Sequence, residues 1–405
     1  MTDEIEKRIE QVKNGKVPEG YKREKGKIIP ATWSGKKLGD VLQKVGKRVA
    51  VEKDVYYTQI GIRSHGNGLF YKEPVSGTEL GNKTVFWIEK DCFVVNIVFA
   101  WEQAIGKTTE KEVGMIGSHR FPMYRAIPNE ASIEYLLWFF NTKRGIDILS
   151  AASPGGAGRN KTLGQKEFAN SKVYLPPFSE QEKIAKVLTH CEKIIELKKQ
   201  LIYEERKQKK CLMYKLLTGQ KRLPGFNMNW EKYEFDVLFK KVSSAEHQIQ
   251  TPQYQKTGNI PVVDQGQNKI IAYSDDNSKK IDCPIGGIIV FGDHTRILKH
   301  IDFDFIVGAD GTQLLVSNDR YASTLYLYYV LANLDIKSLG YSRHFKYIKE
   351  NIFKIPNKHE QTAIANILST ADRKIELIEQ ELEQWKQKKR SLMQLLLNGI
   401  VRVNV

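Results

Sequence analysis

At about 150 residues per domain, the 405 residues of this chain predict two to three folded units, and 41% apolar residues are enough to form buried cores. An excess of 63 basic over 47 acidic side chains gives a net charge of +16, which favours a polyanionic partner such as nucleic acid or an acidic membrane surface. Four scattered cysteines without a C-x-x-C pair exclude a zinc ribbon and a disulfide framework, and no apolar stretch reaches the roughly 18 residues of a membrane span, so we predict a cytoplasmic protein that is neither secreted nor embedded in a membrane.

The sequence divides into five segments along the chain. An N-terminal helix and linker at 1–29 precede a strand-rich segment at 30–174, a long helix at 175–223, a second strand-rich segment at 224–354 and a second long helix at 355–405. Both strand-rich segments open with a tryptophan followed by Asp-Val-Leu-x-Lys, at 40–44 and 236–240, and then diverge. We therefore predict two unlike α+β globules, each followed by a similar helix.

In the first globule, β-branched and aromatic runs at 57–62, 83–88 and 92–99 predict strands, and an aromatic run at 133–141 predicts a helix. A glycine-rich loop at 155–162 nearly matches the phosphate-binding G-x-x-x-x-G-K-[ST] motif, but an asparagine replaces the last glycine, so nucleotide hydrolysis is not predicted. Polar turns and this loop offer side chains suited to DNA: Arg63, His65, Ser118, His119, Arg120, Arg159, Asn160 and Lys161. An ordinary surface turn is the alternative for each.

The two helical segments are copies of one another. Aligning 175–223 with 355–403 gives 17 identities in 49 positions without a gap. Inside each copy, seam positions recur at alternating intervals of four and three residues, which is the pattern of a coiled coil. The predicted seam residues are Ile184, Leu188, Ile195, Ile202, Leu212 and Leu216 in the first copy, and Ile364, Leu368, Ile375, Ile378, Leu382, Leu392 and Leu396 in the second.

The second globule repeats the order of elements seen in the first. Apolar runs at 258–263, 269–273, 287–291 and 313–316 predict strands, and an aromatic run at 325–334 predicts a helix. Because 15 basic and 15 acidic residues cancel within 224–354, any DNA contact must come from a local cluster. Polar turns supply the candidates, since Asn, Gln and Arg can read bases bidentately, with ordinary turns again the alternative: Gln265, Gln267, Asn268, Lys269, His294, Arg296, Thr312, Gln313, Arg343, His344 and Lys346.

We predict that the two helices pair with each other in antiparallel orientation. About 40 helical residues span roughly 60 Å, so parallel helices would require the intervening segment to run the whole length back. The predicted fold is thus two strand-rich α+β globules joined by two long antiparallel coiled-coil helices, with a pseudo-twofold axis. Lys209 and Lys389 interrupt the seam at matching positions, which predicts a role in register or contact with an outside partner. The basic runs at 206–210 and 386–390 are either solvated faces or contacts to phosphates or partner subunits.

One motif connects the chain to a known family. Leu-Pro-Pro-x-x-Glu-Gln-x-x-Ile-Ala at 175–185 and Leu-Leu-Thr-Gly at 216–219, echoed at 355–365 and 396–399, resemble the specificity subunit of Type I restriction-modification enzymes over nearly the whole chain. The resemblance implies two target recognition domains, each reading one half of an asymmetric DNA site through the major groove. It also implies that the helices set the gap between the halves and dock two methyltransferase subunits, and that a restriction/translocase subunit joins them.

On this basis we predict a subunit without catalytic, cofactor-binding or metal-binding residues; the eight histidines include no H-x-x-x-H pair. The resemblance implies that adenine methyltransferase and ATP-dependent endonuclease activities, with S-adenosylmethionine, ATP and magnesium, belong to partner chains. The expected partners are double-stranded DNA and the methyltransferase and restriction/translocase subunits, without a membrane. Two alternatives stay open, namely an enzyme that modifies DNA by itself and a coiled-coil scaffold that binds protein or RNA.

Overall fold

The computed structural model of the chain describes residues 3–155, 161–308, 311–336 and 343–403. It forms two compact units: unit 1 is Met1–Leu197 with Leu382–Val405, and unit 2 is Lys198–Glu381. The boundary between the units cuts both long helices, whereas the segments predicted from the sequence keep each helix whole. Each unit therefore contains one strand-rich globule, part of the first long helix and part of the second.

Unit 1 starts with α1 (Asp3–Lys13) and the hairpin of β1 (Tyr21–Glu24) and β2 (Lys27–Pro30). The other strands of this unit are β3 (Ser34–Lys37), β4 (Leu42–Val45), β5 (Lys47–Arg48), β6 (Tyr56–Tyr57), β7 (Ile60–Ile62), β8 (Leu69–Tyr71), β9 (Val75–Ser76), β10 (Val85–Trp87), β11 (Cys92–Val95), β12 (Ile105–Lys107), β13 (Ile116–Ser118), β14 (Met123–Ala126) and β15 (Lys172–Leu175). Its helices are α2 (Leu38–Val41), α3 (Gly77–Leu80), α4 (Ile133–Phe140), α5 (Lys143–Ala151), α6 (Gln165–Asn170) and the long α7 (Phe178–Leu217), which continues into unit 2.

Unit 2 has fewer strands. They are β16 (Glu231–Glu234), β17 (Phe239–Val242), β18 (Ile260–Val263), β19 (Ala272–Ser274), β20 (Ile288–Gly292), β21 (Leu298–Ile301), β22 (Ile306–Val307), β23 (Thr312–Ser317) and β24 (Ile352–Ile355). Its helices are α8 (Phe235–Leu238), α9 (Thr324–Ala332), α10 (Phe345–Lys349) and the long α11 (Lys358–Leu397), which continues into unit 1.

Both globules are built on the same four-stranded antiparallel sheet. Its strand order is β12-β11-β14-β4 in unit 1 and β21-β20-β23-β17 in unit 2. The elements around the sheet also follow one another in the same chain order in both units. A four-residue helix leads into the edge strand β4 or β17, and an aromatic helix follows β14 or β23. A short helix then precedes β15 or β24. In unit 1, β11, α4 and α6 bury three rings against one another, with centroids 5.5 to 6.2 Å apart: Phe93, Phe140 and Phe168.

In unit 1, the strands are shorter than the apolar runs that predict them, whereas β23 of unit 2 is longer than the run at 313–316. The run at 57–62 contributes to two separate strands, β6 and β7, and the run at 92–99 is strand only as far as Val95. Asn96 ends that strand because its side-chain oxygen accepts a hydrogen bond from the Val98 backbone N–H at 3.1 Å, which folds the chain into a loop. Phe99, although apolar, is 38% exposed in this loop.

The two long helices lie within the predicted segments 175–223 and 355–405 and have the same length, 40 residues each. Gly219 and Gly399 follow their C-terminal ends with positive φ of 72° and 71°, the left-handed conformation that ends many helices. Eleven of the thirteen predicted seam residues are buried, and Leu212 and Leu392 are half-buried. None of the helices in the described part of the chain is long and apolar enough to cross a membrane.

Candidate nucleic-acid interface

In unit 1, three of the predicted DNA-contacting segments meet at the β11–β12 loop, residues 96–104. The His65 backbone N–H donates to the Glu102 carbonyl at 2.6 Å, and the Arg120 carbonyl accepts from the Ile97 N–H at 3.0 Å. The ammonium of Lys161 lies 5.6 Å from the centroid of the Trp101 ring, which belongs to the same loop. Segments that are up to about a hundred residues apart in sequence are thus fixed to one end of the sheet.

The remaining described candidates of unit 1 belong to the same turns but have other neighbours. His119 is exposed, and together with Ser118 it lines a cavity of about 500 Å³ that also includes Lys44 and Phe86. The Arg63 guanidinium donates to the Leu69 carbonyl at 2.7 Å, so that side chain is held within its own hairpin. Arg159 and Asn160 lie outside the described residues.

In unit 2, the topologically equivalent β20–β21 loop, residues 293–297, collects four candidate segments. It bonds to the first segment through Thr295, whose hydroxyl donates to the Gln265 carbonyl at 2.6 Å. Asp293 connects the loop to two further candidate segments, those of Gly311 and His344. Its backbone N–H donates to the Gly311 carbonyl at 2.7 Å, and its backbone carbonyl accepts the His344 N–H at 3.0 Å. His294 and Arg296 belong to the loop itself. The predicted cluster of polar turns therefore exists in the globule whose charges cancel overall.

A cavity of about 460 Å³ lies beside this loop. Four cations and two carboxylates line it, together with Gln313 and aromatic rings: Lys241, Arg343, Lys346 and Lys349, Asp236 and Asp293, and Phe235, Phe239 and Phe345. The side-chain carbonyl oxygen of Gln313 is buried without a hydrogen-bond partner among the described residues. The neutral globule thus concentrates positive charge around a buried polar group.

Several predicted contact residues are not presented for binding. His344 is fully buried and Thr312 is 7% exposed within β23, so neither is available at the surface. Lys269 pairs with Asp302 at 3.1 Å. Beside it, the Lys299 ammonium donates to the Asp264 and Asn268 carbonyls at 2.8 and 2.6 Å, and burial lowers the pKa of Lys299, an effect that the Asp264 carboxylate opposes. Gln267 and Asn268 are exposed at the tip of the turn that Lys299 holds in place.

Each unit contains a buried ion pair between an arginine and a glutamate. No role was predicted for these residues from the sequence. In unit 2, the Arg222 guanidinium donates two hydrogen bonds to the Glu360 carboxylate, at 2.6 and 2.7 Å. In unit 1, Arg402 makes the same pair of bonds to Glu180, at 2.5 and 2.6 Å. The glutamate side chains are 1% and 0% exposed. All four residues are among the identities of the repeat, and that signal could have identified them.

The glutamine that follows each of these glutamates joins the globule to the long helix. The Gln181 side chain accepts from the Ser132 N–H at 2.9 Å and donates to the Glu130 and Pro176 carbonyls. Gln361 does the same with the Ser323 N–H and the carbonyls of Tyr321 and Pro356. The glutamine of the repeated motif therefore joins the segment before the aromatic helix, α4 or α9, to the start of α7 or α11.

The seam lysines meet carboxylates on the opposite helix. Lys209 pairs with Asp372 in unit 2 and Lys389 with Glu192 in unit 1. These pairs, with Lys198–Glu381 and Lys374–Glu205, join late positions of one helix to early positions of the other, so the helices pack antiparallel within each unit. The lysines thus have partners inside the chain. In the basic runs, Arg206 pairs with Glu379 and Lys386 with Glu383.

Within the described ranges, no group of three or more His, Cys, Asp or Glu side chains could hold a metal ion.

Comparison with known proteins adds independent information. The family model described as Type I restriction modification DNA specificity domain matches residues 30–204 and again 227–387. The Type I restriction enzyme MjaVIII specificity subunit of Methanocaldococcus jannaschii is 24% identical over 427 residues, which cover 95% of this chain and 96% of that protein.

Two solved structures share the fold. The S subunit of a Type I restriction-modification system from M. genitalium aligns with a TM-score of 0.61 and 12% identity, over 92% of this chain and 96% of its own. The HsdS subunit from Thermoanaerobacter tengcongensis aligns with a TM-score of 0.51 and 16% identity, over 92% and 98%. The predicted α+β class, with two strand-rich globules and long coiled-coil helices, is confirmed.

The family model covers most of the chain in two copies, one for each globule with its helix. This match supports neither the stand-alone DNA-modifying enzyme nor the protein or RNA scaffold. The chain belongs to the Type I restriction-modification DNA specificity family, as a non-catalytic specificity subunit.

Proposed function

We propose that the β11–β12 loop of unit 1 and the β20–β21 loop of unit 2 are the centres of two DNA-reading surfaces, each of which recognises one half of a two-part asymmetric site. One observation carries this proposal: polar turns selected from the sequence of two diverged globules converge on the same hairpin loop of the shared sheet. Turns without a common role would be expected to scatter over the surface. Equivalent placement supports two surfaces with the same task and different side chains.

The chemistry of the unit 2 surface suits the edge of a duplex. Lys241, Arg343, Lys346 and Lys349 can contact phosphates, which position a protein without reading sequence. Arg343 can donate two hydrogen bonds to guanine, and the Gln313 side chain, whose carbonyl oxygen is buried, can offer its amide N–H groups. We assign Arg120, His119 and Lys161 to the corresponding surface of unit 1. His344 and Thr312 are excluded from direct contact by their burial.

The long helices serve assembly in this proposal. Two methyltransferase subunits dock on them, restriction/translocase subunits join the complex, and the helices set the gap between the half-sites. S-adenosylmethionine, ATP and magnesium act in those partner chains, and the complex works on double-stranded DNA in the cytoplasm. The repeated ion pairs and glutamine contacts support two similar docking environments, one in each unit.

The decisive experiment maps methylated sites in cells that carry the complete system with Arg343→Ala and Lys346→Ala together. We expect one half-site to lose specificity or methylation to fall at all sites, because cations at the surface are lost while the fold stays intact. Lys354→Ala is the matched control, since Lys354 is an exposed cation of the same globule that lies on β24 and does not line the cavity. A double variant that methylates like the control would refute the assignment of this surface.

A further inference from the structure

Asp293 occupies an unusual place in the candidate surface of unit 2. It is an acidic residue at the edge of a cavity lined by four cations, yet it is only 4% exposed. A carboxylate presented to DNA would repel the phosphates that those cations attract. Its role must therefore be sought in its contacts inside the protein.

Those contacts join three segments that are distant in sequence. The Asp293 N–H donates to the Gly311 carbonyl at 2.7 Å, and the Asp293 carbonyl lies 3.0 Å from both the backbone N–H and the ring Nδ1 of His344. One carboxylate oxygen accepts the Phe345 N–H at 2.9 Å. His344 itself is 0% exposed. A charge-assisted bond to a backbone N–H is about twice as strong as a neutral one, so Asp293 and His344 form a buried connection at the start of α10.

This connection lies next to the side chains that face the cavity. Arg343 precedes His344, and Lys346 and Lys349 follow within α10. Fixing His344 and Phe345 therefore fixes the backbone from which these three cations extend. Gly311, two residues before Gln313, is held by the same aspartate.

The described residues of unit 1 connect the corresponding segments differently. The equivalent residue at the end of β11 is Asn96, whose side chain bonds within its own loop, to the Val98 N–H at 3.1 Å. The segment before α6 is joined to that loop by a backbone bond from the Leu163 N–H to the Ile97 carbonyl at 2.8 Å. Among the described residues, a carboxylate that bonds to the start of the short helix is thus seen in unit 2 and not in unit 1.

We propose that Asp293 and His344 are positioning residues that orient Arg343, Lys346 and Gln313 for recognition of one DNA half-site, and that Asp293 does not read a base. This inference rests on the proposed function of the unit 2 surface. It makes Asp293 a determinant of specificity through geometry, so its effect extends over the whole half-site instead of one base pair.

Two variants separate positioning from direct readout. Asp293→Asn keeps a side-chain oxygen that can accept the Phe345 N–H, whereas Asp293→Ala removes it. In hydrogen exchange of the free full-length chain, followed by mass spectrometry, we expect peptides covering 343–349 to exchange about tenfold faster in Asp293→Ala, the factor for loss of about one hydrogen bond. Asp293→Asn, whose neutral amide oxygen accepts a weaker bond, should exchange at a rate between those of the wild type and Asp293→Ala. Asp302→Ala, which alters an exposed aspartate outside the cavity, is the control.

Methylation mapping with the complete system then tests the link to recognition. We expect Asp293→Ala to relax several positions of one half-site, with the other half-site unchanged, and Asp293→Asn to keep the wild-type site. A change by Asp293→Asn at a single base position would mean direct readout and overturn the proposal. Unchanged specificity in Asp293→Ala would overturn it too, provided that Arg343→Ala with Lys346→Ala impairs recognition. If that double variant has no effect on methylation, the result contradicts the proposed function of the surface, on which this inference rests.

Discussion

Removing Arg222 should destabilise unit 2 much more than removing an arginine from the surface of the long helices. Glu360 is 1% exposed in its pair with Arg222, which is 29% exposed. Arg222→Met keeps the aliphatic stem against Trp230, whose ring lies 5.5 Å from the guanidinium carbon, but it leaves a buried carboxylate unpaired. Breaking a buried pair in this way costs about 3–5 kcal/mol, and the partial exposure of the arginine places the expected loss near the lower limit.

Calorimetric unfolding can measure this loss directly. About 3 kcal/mol corresponds to a decrease in Tm of roughly 6–12 °C for a unit of this size. Arg206→Met is the control, because Arg206 and Glu379 are 66% and 40% exposed and such pairs contribute about 0–1 kcal/mol.

Adding Glu360→Gln to Arg222→Met should recover much of the loss, since no unpaired charge remains buried. Arg402→Met should show the same loss in unit 1. If the Tm of Arg222→Met lies within about 1 °C of the Tm of Arg206→Met, the buried pair does not stabilise unit 2 as its geometry indicates.

The remaining predictions concern assembly and modularity. Ile195→Glu with Ile375→Glu places an unpaired carboxylate in each part of the seam, at a cost of several kcal/mol. Methyltransferase subunits should then no longer co-purify with the chain, and normal co-purification would contradict the assignment of these residues to the seam. Exchanging 30–174 for the corresponding domain of another specificity subunit should alter one half-site in methylation maps, and alteration of both halves would contradict independent reading. Inserting seven residues after Ile202 and after Leu382 lengthens each helix by about 10.5 Å. Because base pairs are roughly 3.4 Å apart, the gap between the two half-sites in methylation maps should grow by about three base pairs. An unchanged gap would show that the helices do not set it.

The long helices could be predicted closely because their signals are local and repeated. A seam of apolar residues, a proline before each helix and a glycine after it are all visible in the sequence, and the duplication shows each of them twice. The contacts between the helices are not visible, because Arg222 and Glu360 are 138 residues apart and Arg402 and Glu180 are 222 apart. Identity within the repeat marks these residues, but only the fold shows that each pairs with a residue of the other copy.

The candidate interface was predictable in composition and not in arrangement. Charged and amide side chains between apolar runs stand out in a sequence, so the polar turns could be picked out as candidates, and several of them meet at one loop in each unit; their contact with DNA stays a prediction. Burial could not be predicted, because Arg343 and His344 are neighbours in one turn and only tertiary contacts decide that the first is exposed and the second enclosed. For the same reason Asp293 did not stand out, as its function depends on residues some fifty positions later.

The division of the long helices between the units has a consequence for synthesis on the ribosome. Unit 2 is one continuous stretch, Lys198–Glu381, and its core can form as soon as that stretch has left the exit tunnel. Unit 1 comes first in the sequence, yet Leu396 and Leu397 at the end of α11 belong to the same buried cluster as Ile184 and Leu188. The globule at 30–174 must therefore wait for the end of α11 before its core is complete, so unit 1, whose synthesis starts before that of unit 2, finishes folding after it.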